Sequence, residues 1–424
     1  MSADQLPKNF LIISQRWPQL FEELMSSDDS SLNVEIVENT LVINGIQLTS
    51  SYDRLAEAEL QTSFINSHSN HATVYGPGLG DSINVLLARK ALRKIYVVIL
   101  NRAIFINSLQ AIENMDWLSD PRVQLQLATK DSAVNIPFCV NPAELKLADT
   151  KGEYIADKVQ IELNQEFVNK KHQHRQVNNS DPIRDNYTFI ETDADISSIP
   201  NPKKTDIFIA AAGPTLEQHL DYLAKNKPFI IAVDASVRVL LNHGIIPNIV
   251  VSIDYTAFQF FEDIEPSLLT NSMLVYFPNV ETSVLNYWPG PRYCSYSPTP
   301  LYQEILDKYP KTQLFCAGSV VHPAIDLAVY LQAKNIILLG TDFAFTFNKS
   351  HASDSTAQKA SHELDLGYAK ESIINGLGMR IPTMASLKGY LRDLEEYIKE
   401  HPSITFSNGS LEGALIEGTK LWQH

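Results

Sequence analysis

The stretch Asp206-Ile-Phe-Ile-Ala-Ala-Ala-Gly-Pro-Thr-Leu-Glu-Gln-His-Leu220 decides the fold of this chain. Residues 207–210 are a short apolar run of β-favouring character, which predicts a buried strand. The small residues 211–213 follow this strand and end in Gly213, so a ligand can approach the backbone closely there. The stretch therefore predicts a strand that leads into a tight turn.

The residues after this turn predict the start of a helix. Pro214 has a fixed φ and no N–H group, which suits a turn or a first helical position. Thr215 and Gln218 have the spacing of a capping box. The N–H groups and the positive dipole end of such a helix form a natural phosphate site. An ordinary tight turn without a ligand stays open as the alternative, since many such turns bind nothing.

The composition restricts the classes of protein that fit. The chain has 424 residues, of which 44% are hydrophobic, so about two or three domains are expected. Its formal charge of −15 argues against nucleic acid as the main partner. No apolar run approaches the ~20 residues of a membrane span, and residues 1–10 lack the apolar region of a signal peptide. The cysteines lie far apart, which predicts no disulfide framework or zinc site and favours the cytoplasm: Cys139, Cys294 and Cys316.

The order of predicted elements divides the chain into four segments. Residues 1–70 predict a helix, over 7–26, and a β-hairpin with turns near Glu38-Asn39 and Asn44-Gly45. Residues 71–162 predict a Rossmann-like α/β unit with a Gly76-Pro-Gly-Leu-Gly80 turn. Residues 163–204 predict a polar helix or linker, and residues 205–424 the larger α/β domain.

Three features of the first three segments bear on ligands. The acidic residue expected after the second strand of a dinucleotide-binding unit is absent, because Asn101 stands there, which favours a structural unit without a cofactor. His172 and His174 lie in a basic stretch for which we favour a solvated surface. Asp193-Ala-Asp195 matches the carboxylate pair of metal-dependent sugar transferases, but it follows no buried strand, so we predict no metal site.

The fourth segment repeats a strand–helix pattern. Apolar runs that predict strands lie at residues 207–210, 229–233, 249–253, 273–277, 314–315 and 336–339. Alternating strands and helices indicate a mostly parallel sheet covered on both faces. The predicted fold class is therefore α/β, with a Rossmann-like central and C-terminal domain and a smaller N-terminal α/β domain.

Ligands on such sheets bind beyond the carboxyl ends of the strands, so the residues there are the candidate site. Three predicted strands end in aspartate, at Asp234, Asp254 and Asp342. One such residue is usually a cap or a turn former, but three beside two glycine-led helix starts predict a site. We expect a phosphate and the hydroxyl groups of a ribose or sugar to be held by Gly213, Pro214, Thr215, Asp234, Ser236, Asp254, Gly318, Ser319 and Gly340. No Walker-type motif occurs, so P-loop hydrolysis is not predicted.

Several motifs follow one another in a specific order. They are Ile209-Ala-Ala-Ala-Gly-Pro-Thr-Leu216, Val251-Ser-Ile-Asp254, Gly318-Ser-Val-Val321, Leu339-Gly-Thr-Asp-Phe-Ala-Phe345, Arg380-Ile-Pro-Thr383 and Ser407-Asn-Gly-Ser-Leu-Glu-Gly413. As a set they resemble the motility-associated factor (Maf) flagellin glycosyltransferases. The N-terminal helix, hairpin and glycine turn are also similar to that family, so the resemblance covers most of the chain.

This resemblance implies transfer of a nonulosonic acid (pseudaminic, legionaminic or sialic-type) from a CMP-activated donor to Ser or Thr of flagellin. The central domain also resembles bacterial sialyltransferases and archaeal 6-hydroxymethylpterin pyrophosphokinases. The chain departs from the sialyltransferase pattern in four places. Ala212 and Asp234 replace asparagines, and Ala344 and Phe345 replace tyrosines that hold the leaving phosphate.

Such a transfer needs a general base for the acceptor hydroxyl and donors for the departing phosphate. His351 is the first candidate base, because it follows the last strand end in a polar loop. His322 is the second, although it lies in the apolar segment 320–324, where a core histidine is an equal alternative. Asp342 is expected to orient either histidine or to cap the turn.

Three functions stay open on the sequence. The first is a CMP-nonulosonate transferase without a certain cofactor. The second is a diphosphotransferase that uses ATP and Mg²⁺. The third is a non-catalytic assembly factor that binds flagellin.

Overall fold

The computed structural model describes residues 7–26, 32–130, 132–163, 182–203, 205–353 and 371–423. The chain divides into two compact units, Met1–Phe167 and Val168–His424. Residues 164–181 of the predicted polar segment, which include His172 and His174, lie outside the described residues. No helix within the described ranges combines the length and the apolar character that a bilayer crossing requires.

The first unit contains two sheets. A small antiparallel sheet has the strands β1 (Val34–Val37), β2 (Thr40–Ile43) and β3 (Ile46–Gln47). Its turns lie at residues 38–39 and 44–45, as predicted from the sequence. A parallel sheet follows, with the order β6-β5-β4-β7 and the strands β4 (His71–Tyr75), β5 (Lys94–Ile99), β6 (Val123–Leu127) and β7 (Phe138–Val140). The winding direction therefore reverses between β4 and β7, which makes this a topological switch point.

The helices of the first unit surround this parallel sheet. They are α1 (Lys8–Arg16), α2 (Pro18–Met25), α3 (Arg54–Thr62), α4 (Asp81–Leu87), α5 (Arg102–Ala111), α6 (Pro142–Lys146) and α7 (residues 153–163). The prediction of one helix over residues 7–26 is wrong. Pro18 lacks an N–H group and pushes Trp17 out of the helical region, to φ −136° and ψ 67°, so two short helices form instead.

The second unit is built on one nine-stranded sheet in the order β18-β17-β14-β9-β10-β11-β12-β13-β8. Every neighbouring pair in it is parallel. Its strands are β8 (Ala194–Asp195), β9 (Asp206–Ala210), β10 (Ile230–Val233), β11 (Ile249–Ser252), β12 (Met273–Tyr276), β13 (Arg292–Cys294), β14 (Asn335–Leu339), β17 (Thr405–Asn408) and β18 (Lys420–Leu421). A separate antiparallel pair consists of β15 (Glu371–Ile374) and β16 (Arg380–Thr383).

The first two helices of the second unit precede β8, and the others lie between the strands in sequence. The helices are α8 (Pro182–Asp185), α9 (Tyr187–Thr192), α10 (Leu220–Asn226), α11 (Val237–Asn242), α12 (Thr282–Tyr287), α13 (Gln303–Lys308), α14 (Val321–Tyr330) and α15 (Ala385–Glu400). All residues of β10 and β11 are buried, which explains their continuous apolar runs. The predicted α/β fold class with Rossmann-like parallel sheets is confirmed.

Two details at one end of the sheet differ from the prediction. Residues 314–315 form no strand, and only an isolated bridge joins Tyr296 to Gln313. The sheet continues instead through β13 and β8, whose three and two residues are too short to produce a recognisable pattern.

The Asp193-Ala-Asp195 pair lies at this end and is held by the protein. The Asp193 carboxylate accepts hydrogen bonds from the Arg292 guanidinium at 2.8 and 3.0 Å. Asp195 accepts hydrogen bonds from the amide and hydroxyl of Thr312. Through these hydrogen bonds both carboxylates hold the β8 segment against Arg292 of β13 and against Thr312.

Candidate functional site

The second unit has its topological switch point between β9 and β14. From β9 the strands β10 to β13 follow on one side, whereas β14, β17 and β18 lie on the other. Ligands of open α/β sheets bind in the crevice at such a point, beyond the carboxyl ends of the strands. Two groups of predicted site residues lie along this edge.

The two strand ends at the switch point approach each other very closely. The Gly213 N–H donates to the Gly340 carbonyl oxygen at 2.8 Å, and a Cβ atom on Gly213 would lie 2.4 Å from that oxygen. Gly340 itself has φ +67°, a conformation that side chains disfavour. Glycine is required at both positions, so the crevice is filled by backbone next to the strands.

Asp342 is buried in this crevice and binds Thr215. Its carboxylate accepts hydrogen bonds from the Thr215 N–H, at 3.0 Å, and from the Thr215 hydroxyl. Burial raises the pKa of Asp342 to about 6, and the bonds from Thr215 oppose that rise. The predicted capping box of Thr215 and Gln218 is wrong, because the Thr215 side chain bonds Asp342 and the turn has no side-chain cap.

This arrangement defines what the turn can bind. The N–H groups of Gly213 and Thr215 already donate to Gly340 and Asp342, and Pro214 has no N–H group. The Asp342 carboxylate accepts the hydrogen bonds that a bound anion would otherwise accept at this turn. A phosphate at this turn would have to displace it.

The loop that carries His351 lies on the same turn. The Ala352 N–H donates to the Ala212 carbonyl oxygen at 2.8 Å, and the Ser353 N–H donates to the Glu217 carboxylate. His351 is half-buried, and its Nδ1 lies 3.1 Å from the Ser350 hydroxyl. Burial lowers the pKa of His351, which favours the neutral imidazole that a general base requires.

The backbone between Asp342 and His351 is strained. Phe343, Phe347 and Asn348 have φ values of +46°, +56° and +58°. Positive φ is rare for bulky residues, and such residues cluster at functional sites. The segment is fixed in part by β16, because the Thr383 hydroxyl donates to the Phe343 carbonyl oxygen at 2.6 Å.

The second group of predicted residues lies beyond β10 and β11. Asp234 is buried and accepts hydrogen bonds from the Ser252 hydroxyl, at 2.9 Å, and from the Ala235 N–H. Burial raises the pKa of Asp234 to about 7, and nearby Asp254 adds to that rise. Ser236 is buried as well, with its hydroxyl bonded to the carbonyl oxygen of Ala210. Asp234 and Ser236 therefore stabilise the strand ends.

Asp254 differs from these buried residues. It is exposed at the end of β11, where its carboxylate accepts a hydrogen bond from the Thr256 N–H at 3.1 Å. Its charge acts on Asp234 and on Tyr390, the half-buried tyrosine of α15. Asp254 is thus a carboxylate at this edge that faces solvent and can accept further hydrogen bonds.

The start of α14 lies beside Tyr390. Gly318 has φ +93°, and a Cβ atom there would lie 2.9 Å from the Tyr390 ring. Within the described ranges, the N–H groups of Ser319 and Val320 find no acceptor. Because α14 has ten residues, these N–H groups lie at the positive end of a substantial helix dipole.

His322 holds this helix start in place. Its Nδ1 accepts a hydrogen bond from the Ala317 N–H at 3.2 Å, and its Nε2 lies 3.0 Å from the Tyr390 carbonyl oxygen. Burial lowers the pKa of His322 to about 4, so the ring is neutral. Both ring nitrogens have protein partners, and a role as base would require breaking one of these bonds.

The structure therefore brings the predicted residues together as two groups on one edge. The first contains Gly213, Thr215, Gly340, Asp342 and His351, and the second contains Asp234, Ser236, Asp254, Gly318 and Ser319. Sequence reasoning missed Tyr390, which closes the second group. It lies far downstream in α15, and no local pattern distinguishes it from an ordinary amphipathic helix residue.

Residues 182–348 match the model of the family described as 6-hydroxymethylpterin diphosphokinase MptE-like. The matched segment includes β8 to β14 and both groups of strand-end residues up to Asp342. The second unit therefore contains an MptE-like domain, which confirms that part of the resemblance.

Among solved structures, the chain is similar to the MAf glycosyltransferase from Magnetospirillum magneticum AMB-1. The sequence identity is 13% and the TM-score is 0.49, over 100% of this chain and 75% of that one. No curated protein matches the chain.

Proposed function

We propose that this chain is a glycosyltransferase that moves a nonulosonic acid from a CMP-activated donor to Ser or Thr of flagellin. The ordered motifs and the MptE-like domain support this proposal. The observation that supports it most is that motif residues from separate parts of the chain lie along one carboxyl edge: Asp254 and Asp342, which follow strands, and Gly318, which precedes α14. Ligands of this fold bind at such an edge.

In this proposal the leaving CMP phosphate binds at the start of α14. The N–H groups of Ser319 and Val320 are open there, whereas those of Gly213 and Thr215 already bind Gly340 and Asp342. Backbone donors at a helix start stabilise negative charge that develops on a phosphate oxygen. The Gly213–Thr215 turn then shapes the crevice beside the donor.

The exposed Asp254 carboxylate is the proposed acceptor for hydroxyl groups of the ribose. The buried Asp234 and Ser236 act through the strand ends that they stabilise, since their hydrogen bonds go to the protein. The Tyr390 side chain forms the opposite wall, next to Gly318.

The chemistry exchanges one C–O bond for another. The bond from the anomeric carbon to the phosphate breaks and CMP leaves with the electron pair, while the Ser or Thr oxygen forms a bond to that carbon. The acceptor proton goes to His351, whose neutral imidazole can take it. Asp342 positions the turn on which the His351 loop rests.

The intact mass of flagellin in the native host tests this proposal. Deletion of the gene should lower the flagellin mass by whole multiples of one sugar residue, and the wild-type gene should restore it. His351→Ala should fail to restore the mass, whereas His68→Ala, an exposed histidine of the first unit, should restore it fully. An unchanged flagellin mass after deletion would contradict a transferase and favour an assembly factor.

A further inference from the structure

Asn279 follows β12 on the same carboxyl edge as the candidate site. Strand β12 pairs with β11, with Tyr276 opposite Ser252, so the two strands end side by side. The exposed Asp254 follows β11, and its carbonyl oxygen accepts the Glu281 N–H at 3.3 Å. Asn279 therefore lies next to the carboxylate that the proposed function assigns to the ribose.

The backbone on both sides of Asn279 is held by one buried side chain. The Asn186 amide nitrogen donates to the carbonyl oxygens of Pro278, at 2.9 Å, and of Val280, at 2.7 Å. Asn186 is fully buried, and its Oδ1 accepts the Thr282 hydroxyl at 2.8 Å. The Asn279 side chain thus starts from a fixed backbone.

The side chain of Asn279 is held as well, at its oxygen. The Tyr302 hydroxyl donates to Asn279 Oδ1. Tyr302 is 3% exposed, and its ring packs against the rings of Phe277 and Tyr296, with centroid distances of 6.2 and 5.7 Å. A buried tyrosine therefore fixes which end of the amide faces the protein.

The nitrogen end of this amide remains open. Asn279 is half-buried, and its Nδ2 has no acceptor within the described ranges. Because the oxygen already has a donor, the group that remains for a ligand is an N–H donor. A polar group held in one orientation by its neighbours is suited to select among ligands.

The same pair of residues lies near the segment that leads into α14. Burial raises the pKa of the Tyr302 phenol, and the nearby Cys316 thiol adds to that rise. Cys316 precedes Gly318 by two residues. Asn279 is therefore close to both parts of the second group, the Asp254 carboxylate and the helix start.

We propose that Asn279 selects the base of the donor nucleotide, with its Nδ2 donating to the ring nitrogen N3 of cytosine, and that Tyr302 is the positioning residue that orients this amide. The inference rests on the proposed function, because it takes the ligand to be a CMP-activated sugar. Cytosine N3 is a hydrogen-bond acceptor, whereas uracil N3 carries a hydrogen. A fixed N–H donor therefore favours cytosine and disfavours uracil.

Calorimetric titration of CMP and of UMP, at pH 8 and without added metal, tests this inference. Wild type should bind CMP at least about tenfold more tightly than UMP, since UMP loses one hydrogen bond and opposes two donors. Asn279→Ala should lose this preference. Asn279→Asp should reverse it, because a carboxylate accepts the N3–H of uracil and repels the lone pair of cytosine.

Two buried tyrosines provide a matched pair of variants. Tyr302→Phe keeps the ring but frees the amide to turn its oxygen toward the base, so the ratio of CMP to UMP affinity should fall by about threefold or more. Tyr296→Phe removes a hydroxyl that donates to the Tyr309 carbonyl oxygen at 2.8 Å, and it should leave the ratio unchanged. Circular dichroism confirms that each variant is folded.

The outcomes separate this inference from the proposed function. If wild type binds CMP and UMP equally, or if folded Asn279→Ala keeps the preference for CMP, the inference is overturned and the proposed function stands. An equal fall of the ratio in Tyr302→Phe and Tyr296→Phe would overturn the positioning role of Tyr302. Absence of CMP binding to wild type would overturn both the inference and the proposed function.

Discussion

The Asp342 carboxylate accepts both the N–H and the hydroxyl group of Thr215, across the switch point of the second unit. In the first unit the Glu144 carboxyl group accepts the N–H of Gly78. In each case a carboxyl group that follows one strand closes the glycine-containing turn of the strand beside it. Both units therefore supply, from their own chain, the oxygen acceptor that a bound phosphate supplies in many Rossmann-like proteins.

The pH dependence of stability should reveal the buried carboxyl group of the first unit. The pKa of Glu144 is raised from 4.5 to about 8 by burial, so the folded chain binds more protons than the unfolded chain in that window. Its contribution to stability is present below pH 4.5 and is lost as the pH rises toward 8. The size of this loss is roughly 3 to 5 kcal/mol.

Urea unfolding at pH 5 and pH 8 measures this effect. Glu144→Gln should remove most of the difference between the two pH values, because an amide does not titrate. Glu59→Gln, an exposed position on α3, should keep the difference of the wild type. An equal pH dependence in wild type and Glu144→Gln would show that Glu144 ionises in the folded protein as it does in water.

The contact of β9 with β14 predicts an unusual order among glycine substitutions. Gly213 has φ −67°, which any residue adopts, but its Cβ would lie 2.4 Å from the Gly340 oxygen. Gly244 has φ +70° and no atom within 4 Å of its Cβ. Gly213→Ala should therefore destabilise by more than about 3 kcal/mol, and Gly244→Ala by about 1 to 2 kcal/mol.

The free energy of unfolding in urea checks this order. Conformational strain alone would make Gly244→Ala the more harmful change, because only that glycine has positive φ. A smaller loss of stability for Gly213→Ala than for Gly244→Ala would contradict the close approach of the two strand ends.

His322 should stay neutral far below the usual range of histidine. Burial lowers its pKa to about 4, against 6.5 for an ordinary histidine. Because the unfolded chain takes up the proton first, the stability that His322 contributes falls as the pH decreases from 6.5 toward 4. Imidazole ¹⁵N chemical shifts should show the proton on Nε2, facing the Tyr390 carbonyl, at pH 5.5. A doubly protonated ring at that pH would contradict the two hydrogen bonds.

The strands at the centre of the second unit could be predicted from the sequence, whereas several contacts could not. Strands β9 to β12 and β14 are buried on both faces, so their apolar runs are continuous. Strands β13 and β8 are too short for that signal. The prediction of one helix over residues 7–26 is wrong because Pro18 interrupts the helix, although the apolar pattern continues through it.

Of the candidate site, too, some features could be predicted from the sequence and others could not. Its strand-end residues could be placed on one edge from the alternation of strands and helices. That Asp342 bonds Thr215 could not be foreseen, because it requires β14 to lie beside β9 rather than next to the strand preceding it in sequence. The position of Tyr390 depends likewise on where α15 packs.

The N–H groups at the start of α14 offer a direct test of whether this edge binds the phosphate of CMP. Val320 has φ −61°, which proline also adopts, so Val320→Pro removes one N–H donor with little change to the backbone. Val320→Ala shortens the side chain but keeps the donor. Hydrogen bonds to a charged group contribute about 1.5 to 3 kcal/mol, which corresponds to roughly 10- to 100-fold in affinity.

The decisive measurement is calorimetric titration of CMP into wild type, Val320→Ala and Val320→Pro, without added metal. If the phosphate of CMP binds at this helix start, wild type and Val320→Ala should have similar CMP affinity, and folded Val320→Pro should bind at least tenfold more weakly. Absence of CMP binding to the wild type, or equal affinity in all three proteins, would contradict it. Binding of ATP that requires Mg²⁺, in place of CMP, would contradict it as well.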